Sequence, residues 1–149
     1  MAMIKGNVIT DEIALVAATE KTIIQLKAPA NQRVKIRGWG IFFDGVSAGA
    51  EPVEVELKKQ TTDGTMTTHT PVNETPGSAE TIQSTAKRNA TVEPTSTDMF
   101  DALEVHPQTG YEKIYPMGEE PVLAGGERMA ITAMAPAVVN CRAKLYFEE

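Results

Sequence analysis

The sequence predicts an all-β protein, an antiparallel β-sandwich, and three observations support this. From residue 139 to residue 148, apolar odd positions alternate with polar even positions, which is typical of a strand with one buried face. About eight to ten such segments are separated by Gly, Pro, Asn and Asp at sandwich-like spacing. The stretch 73–98 is rich in Thr, Ser and Pro. We therefore expect a jelly-roll-like sandwich with one long irregular crossover, with an immunoglobulin-like sandwich as the alternative.

The first half of the chain supplies the earliest predicted strands. We expect residues 1–12 to form an N-terminal arm and residues 13–149 a single domain, large enough to bury roughly two-thirds of its unfolded surface. The segments 13–18 and 22–27 predict an opening hairpin or one bent strand. Residues 34–38 alternate between apolar and basic side chains, and residues 39–43 are apolar on both faces, which predicts the most buried strand. The glycines on either side of Trp39 indicate a bulge or a close backbone approach.

Further strands are predicted along the rest of the chain. Residues 53–58 place Glu54 and Glu56 on an exposed face, and Asp63-Gly64 predicts a tight turn. The stretch 79–87 allows a short helix with Ser78 as its cap. The last two strands are expected to pair as a hairpin that turns at Pro136. The later predicted strands cover residues 99–105, 111–115, 121–123, 128–135 and 139–147.

Charge and composition argue against several classes of partner. The chain has 14 basic and 20 acidic residues, a net charge of −6, which disfavours binding to nucleic acid or to anionic lipid. The longest apolar run, residues 13–18, is far shorter than the ~20 residues that cross a bilayer. A single cysteine excludes an internal disulfide. We expect neither nucleic acid nor membrane as a partner.

No residue pattern predicts a catalytic or metal site. Cys141 falls on the inward register of the last strand, where burial keeps a thiol unreactive. His69 and His106 lie in separate segments, without the close spacing of metal ligands. Acidic residues at 54/56, 98/101/104 and 119/120 lack the glycine-containing pattern of a calcium loop. We therefore expect a protein that is not an enzyme and has no cofactor.

Several stretches of the chain resemble a group of small virion proteins of tailed phages and prophages, and in particular head decoration (cement) proteins. The resemblance covers most of the chain and rests on structural rather than catalytic motifs. The stretches are Ile36–Gly45, Pro52–Leu57, Thr61–Gly64, Thr70–Val72, Val105–Gln108, Tyr115–Pro116 and Ala135–Glu149.

The resemblance implies a jelly-roll-like domain on the exterior of the mature capsid. Such a protein is made in the host cytoplasm, binds the major capsid protein, and forms a homo-oligomer, with a trimer favoured. For contacts with the capsid or between protomers, we single out the N-terminal residues and the stretch 99–117. The candidate interface residues are Met1, Met3, Ile4, Phe100, Tyr111, Tyr115 and Met117.

Three alternatives remain open from the sequence. A tail or head–tail connector component is the nearest. A carbohydrate-binding adhesion module is suggested by Tyr111 and Tyr115, which share a strand face. A cupin-type enzyme is the third, because cupins are jelly rolls, but they need grouped histidines, and this chain has only His69 and His106.

Overall fold

A computed structural model describes residues 3–149 of the chain. This part consists of thirteen strands joined by turns and loops, with no helix. The strands are β1 (Lys5–Ile9), β2 (Ile13–Leu15), β3 (Glu20–Lys27), β4 (Val34–Phe43), β5 (Val53–Gln60), β6 (Thr65–His69), β7 (Val72–Asn73), β8 (Thr85–Val92), β9 (Ser96–Val105), β10 (Gly110–Ile114), β11 (Val122–Leu123), β12 (Arg128–Met134) and β13 (Val139–Glu148).

The strands form two antiparallel sheets packed against each other. Sheet A has the order β10-β4-β13-β1-β7, with β11 also paired to β4 and β2 also paired to β13. Sheet B has the order β6-β8-β3-β12-β5-β9. The predicted all-β sandwich is therefore confirmed, and its finer assignment as a jelly roll stays a prediction.

The core lies between β4 and β13 of sheet A and the central strands of sheet B. Cys141, Ala143, Leu145 and Phe147 are at most 1% exposed, so the predicted inward register of β13 is confirmed. In β4 the pairing with β13 shifts by one residue between Ile36 and Gly38, which is the bulge expected beside the tryptophan. Because of this shift, Ile36 and Trp39 are both fully buried although they are three positions apart.

Among the described residues, no two strands that follow each other in the chain pair with each other. The predicted closing hairpin is therefore wrong. β12 pairs with β3 and β5 in sheet B, whereas β13 pairs with β4, β1 and β2 in sheet A. The turn at Pro136 instead carries the chain across the core, and the predicted opening hairpin is likewise split between β2 in sheet A and β3 in sheet B. Alternation identifies the buried face of a strand but does not identify its neighbours.

Over residues 3–12, the part of it that the structure describes, the predicted N-terminal arm (residues 1–12) is also incorrect. Residues 5–9 form β1, which lies between β13 and β7 in sheet A and is an internal strand. Val8 is fully buried, and Gly6 makes room for the Phe147 ring, because a Cβ at Gly6 would lie 2.5 Å from Phe147 Cζ. The segment 5–9 is too short and too polar for its periodicity to predict an internal strand.

The long connection is less irregular than expected. It contains β8 and the start of β9, so that the irregular part between β7 and β8 covers only residues 74–84, and no helix forms over 79–87. The backbone N–H groups of Gln83 and Ser84 donate to the Glu149 carboxylate at 2.6 and 2.9 Å. These long-range bonds hold the segment extended, where a helix would need local bonds instead.

A buried polar cluster lies on the outer side of sheet B. Gln25 Nε2 donates to Gln60 Oε1 at 2.7 Å, and Gln60 Nε2 donates to Thr22 Oγ1 at 2.9 Å. Thr22 in turn donates from its N–H and its hydroxyl to the Glu93 carboxylate, with the hydroxyl bond at 2.6 Å. These three polar side chains of sheet B are at most 2% exposed and are satisfied by each other and by Glu93, as buried polar groups must be.

Candidate interaction surfaces

One side of the sandwich is formed by β9 of sheet B and β10 of sheet A, and an ion pair joins them. Asp101 is paired with Leu57 on the inner face of β9, and Lys113 is paired with Trp39 on the inner face of β10. Lys113 Nζ donates to Asp101 Oδ2 at 3.2 Å and lies 5.0 Å from the centre of the Tyr115 ring. The bond to Asp101 raises the pKa of Lys113, against the opposing effect of desolvation.

Tyr111 and Tyr115 share a strand face, as predicted, but it is the inner one. The Tyr111 ring packs against Trp39 with centroids 5.5 Å apart and an interplanar angle of 56°. Both tyrosines are half-buried and pack against the core. Burial raises the pKa of Tyr115. These rings therefore stabilise the sandwich and do not form the exposed platform that a sugar-binding site requires.

Phe100 and Met117 lie at the surface. Phe100 is 50% exposed on β9, next to Asp101, and neighbouring Met99 is 55% exposed. Met117 is 96% exposed in the turn after β10. The structure thus brings Phe100, Tyr111 and Tyr115 to one side of the sandwich, but only Phe100 of these three is an exposed apolar side chain.

The N-terminal candidates lie elsewhere. Ile4 is half-buried and exchanges two backbone hydrogen bonds with Glu149, at 3.0 and 2.9 Å, so it extends the pairing of β1 with β13. Met3 is 44% exposed. Met1 lies outside the described residues. In sheet A, β1 and β10 are separated by β13 and β4, so those predicted interface residues that the structure describes do not form one continuous patch.

The outer face of sheet A is a surface that the sequence did not predict. Its edge and flanking strands carry four exposed aliphatic side chains, and its two central strands add the half-buried rings of Phe42 and Tyr146. Successive residues of a strand point to opposite faces, and all six residues occupy the positions that alternate with the buried residues of the sheet. They therefore lie on the outer side. The aliphatic residues are Ile9, Val72, Ile114 and Val122, between 45% and 61% exposed.

Two glycines in the middle of this face leave room for side chains of β10. Gly38 and Gly40 occupy outward positions of β4, next to Ile114 and Glu112 of β10. The Ile114 side chain lies across Gly38, since a Cβ there would be 2.6 Å from Ile114 Cδ1. In the sequence, these glycines together with the alternation of residues 142–146 are the only signal for such a face.

The outer faces of the two sheets differ in charge. That of sheet A carries five basic side chains, Lys5, Lys35, Arg37, Arg142 and Lys144, against Glu74, Glu112 and Glu148. One end of the outer face of sheet B carries Glu20, Glu54, Glu56 and Glu104, with Lys58 bound to Glu20 at 2.7 Å and also to Glu56, whereas Lys27, Lys87 and Arg128 lie toward its other end. The outer face of sheet A therefore carries more basic than acidic side chains, and the glutamates of sheet B are concentrated at one end of its outer face.

The loops at one end of the sandwich enclose an open cavity of about 580 Å³. It lies between the loop after β4, the β9–β10 turn and the connection of β12 to β13, and its lining is mainly Val, Ala and Pro. Val46 and Val138 at its rim are 92% and 75% exposed. Asp44 accepts hydrogen bonds from the Asn140 side chain and backbone, both at 2.9 Å, which fixes one wall and lowers the pKa of Asp44.

Cys141 and His106, two of the residues considered for reactivity, have surroundings that give them structural roles. Cys141 is 1% exposed, and burial raises the pKa of its thiol to about 12. His106 Nε2 donates to the Ala48 carbonyl oxygen at 3.2 Å, and its Nδ1 accepts from the Gln108 N–H at 3.2 Å, so this histidine fixes a turn. Within residues 3–149, no group of three His, Cys, Asp or Glu side chains is arranged to hold a metal ion.

Comparisons with known proteins identify no relative. No family model matches the chain, and neither a curated protein nor a solved structure is significantly similar to it. Over the residues that the structure describes, there is also no helix of the length and apolar character needed to span a bilayer.

Proposed function

We propose that this protein is a non-enzymatic virion component that decorates the outside of a tailed-phage capsid. In this proposal it binds the major capsid protein as a homo-oligomer, with a trimer favoured, and stabilises the mature shell. The proposal combines the resemblance of the sequence to head decoration proteins with the distribution of exposed apolar side chains on the sandwich.

The observation that carries the proposal is the number and placement of these side chains. Within residues 3–149, twelve large hydrophobic side chains are exposed. Most of them lie on the outer face of sheet A, on β9, at the rim of the end cavity and in the turn that contains Met117, rather than around a single cleft. Exposed apolar side chains grouped on one face, as on the outer face of sheet A, are typical of contacts with other macromolecules. A protein that contacts a lattice and its own copies needs several such surfaces.

The mechanism that follows is mass action. A protein that binds only the expanded shell lowers the free energy of that state by an amount that grows with its concentration relative to its Kd. Many copies, each contributing an interface of ordinary size, therefore oppose rupture by the pressure of the packaged DNA. No chemical step is required.

The experiment compares two shells assembled from the major capsid protein of the same virus. The purified protein is incubated with undecorated mature shells and with unexpanded precursor shells, and bound protein is measured after sedimentation. Saturable binding to mature shells alone, at hundreds of copies per particle, supports decoration. Binding of only a small ring of copies per particle contradicts decoration and favours the connector or tail alternative, and no binding to either shell contradicts the proposal.

A further inference from the structure

The outer face of sheet A combines the features of a docking surface. Four exposed aliphatic side chains surround the rings of Phe42 and Tyr146, while the outer face of a two-layer sandwich is ordinarily polar. At its centre, Gly38 and Gly40 of β4 are covered by the side chains of Ile114 and Glu112, so a partner would contact these side chains rather than the β4 backbone.

The cations on this face are partly held in place. Arg37 lies over the Tyr146 ring at 5.9 Å and forms an ion pair with Glu74 at 2.6 Å, and Lys144 lies over the Phe42 ring at 5.0 Å. Cation–π contacts of this kind keep the charged groups at the surface without burying them. Fixed side chains lose less conformational entropy on binding.

Three further cations on the face are not neutralised by an ion pair. Lys5, Lys35 and Arg142 make no such contact within 4.0 Å among residues 3–149. The face thus carries unpaired positive charge on a chain whose net charge is −6. An acidic partner would be attracted to this face and repelled by the glutamate cluster at one end of the outer face of sheet B, which favours docking through sheet A.

We propose that the outer face of sheet A is the surface that docks on the partner, and that the partner is an acidic protein surface with apolar side chains at its centre. This inference rests on the proposed function and names the surface by which decoration occurs. A second copy of the chain does not fit as the occupant. Its glutamate cluster is on the opposite side of the sandwich, so such contacts would extend into an open stack rather than a closed oligomer.

The first test measures binding to undecorated mature shells. A double variant, Lys5→Glu with Arg142→Glu, reverses two unpaired charges at exposed positions. We expect its Kd to rise at least tenfold, and we expect the wild-type Kd to rise with salt because the contact is electrostatic. The matched control is Glu54→Lys with Glu104→Lys on the opposite face, for which binding is expected to stay the same or to tighten. If the wild type binds and the sheet A variant binds with the same Kd, the inference is overturned, whereas the proposed function still stands.

A second test does not depend on the capsid. We expect immobilised poly-L-glutamate to retain the wild-type protein at low salt, despite its net charge of −6, and not to retain the sheet A double variant. Stronger retention by single-stranded DNA than by poly-L-glutamate overturns the assignment of a protein partner. Concentration-dependent association of the free protein that the same variant abolishes identifies a second copy as the occupant and overturns the inference.

Discussion

Asp101 and Lys113 join the outermost strands of the two sheets on one side of the sandwich through a hydrogen bond of 3.2 Å. Unpaired edge strands are prone to pair with other chains, and inward-pointing charges are one way in which proteins prevent this. Asp101 also accepts a hydrogen bond from the backbone N–H of Ala102 at 3.0 Å. This backbone donor of β9 is therefore not free to pair with another chain. The ion pair therefore both connects the sheets and protects an edge.

Replacing Asp101 by Asn should destabilise the protein modestly. The pair is partly exposed, so we expect a loss of about 0.2–1 kcal/mol near neutral pH. Because the native pKa of Lys113 is raised, the stabilisation is fully present below the ordinary lysine pKa, about 10.4, and is lost as the pH rises through the higher native value. Urea unfolding of wild type and variant, followed by fluorescence of the single tryptophan, measures the difference at each pH.

The matched control is Asp98→Asn, an exposed residue of the same strand that forms no ion pair within residues 3–149. It should leave stability unchanged at every pH. The wild type and Asp101→Asn should have the same free energy of unfolding above the native pKa of Lys113. If their difference stays unchanged there, the assigned role of the pair is contradicted.

The thiol of Cys141 should be unreactive in the native protein. Only the thiolate reacts, and burial raises the pKa of Cys141 to about 12. We expect a disulfide reagent at about pH 8 to modify native protein only at the rate of unfolding, and to titrate one thiol per chain in concentrated guanidinium chloride. Since the unfolded thiol ionises at lower pH than the native one, stability should also fall as the pH rises above 9.0. Rapid modification of the folded protein would show that Cys141 is accessible.

Thr22→Val should be clearly destabilising although the two side chains have nearly the same shape. Thr22 is fully buried, and its hydroxyl donates to Glu93 and accepts from Gln60. Removing this hydroxyl from the buried Gln60 amide and from the Glu93 carboxylate should cost about 1–3 kcal/mol in the free energy of unfolding. The control is Thr67→Val on β6, an exposed site whose side chain forms no hydrogen bond within residues 3–149, and it should change stability by less than about 0.5 kcal/mol. Equal effects of the two substitutions would rule out a stabilising role for the cluster.

Gly64→Ala should destabilise the turn between β5 and β6. Gly64 has φ +57°, which costs a residue with a Cβ about 1–2 kcal/mol, and the added atom would lie 2.3 Å from the Val92 carbonyl oxygen. Gly49→Ala is the matched control, because a Cβ there meets no atom within 4 Å. We expect its midpoint of urea unfolding to be unchanged or slightly higher. A similar midpoint for both variants would contradict the turn geometry.

Refolding should be slow for a chain of this length. Since no strand pairs with the next strand in the chain over residues 3–149, every pairing closes a long loop before it is stabilised. Proteins dominated by such contacts fold on the order of milliseconds to seconds. Stopped-flow refolding after a brief unfolding pulse, which avoids proline isomerisation, measures this rate. Refolding within microseconds would be incompatible with the observed topology.

The order of residues along the chain is sufficient to specify which side of most strands is buried. A side chain's preference for water or for the core repeats every second residue along a strand, so Cys141, Leu145 and Phe147 are correctly assigned to the core without any knowledge of their neighbours. The same reasoning locates the bulge near Trp39, because glycine inside an apolar run weakens a strand and is tolerated mainly at bulges and close backbone contacts.

The choice of neighbouring strands, in contrast, is made by the folded molecule. β1 is an internal strand through pairing with β13 at the far end of the chain, and Gln25, Gln60 and Thr22 are buried because the chain around Glu93 binds the outer side of sheet B. The same holds for the cationic and apolar face of sheet A, which combines residues from β1, β4, β7, β10, β11 and β13. These features depend on contacts between residues far apart in the chain, and local periodicity carries no information about such contacts.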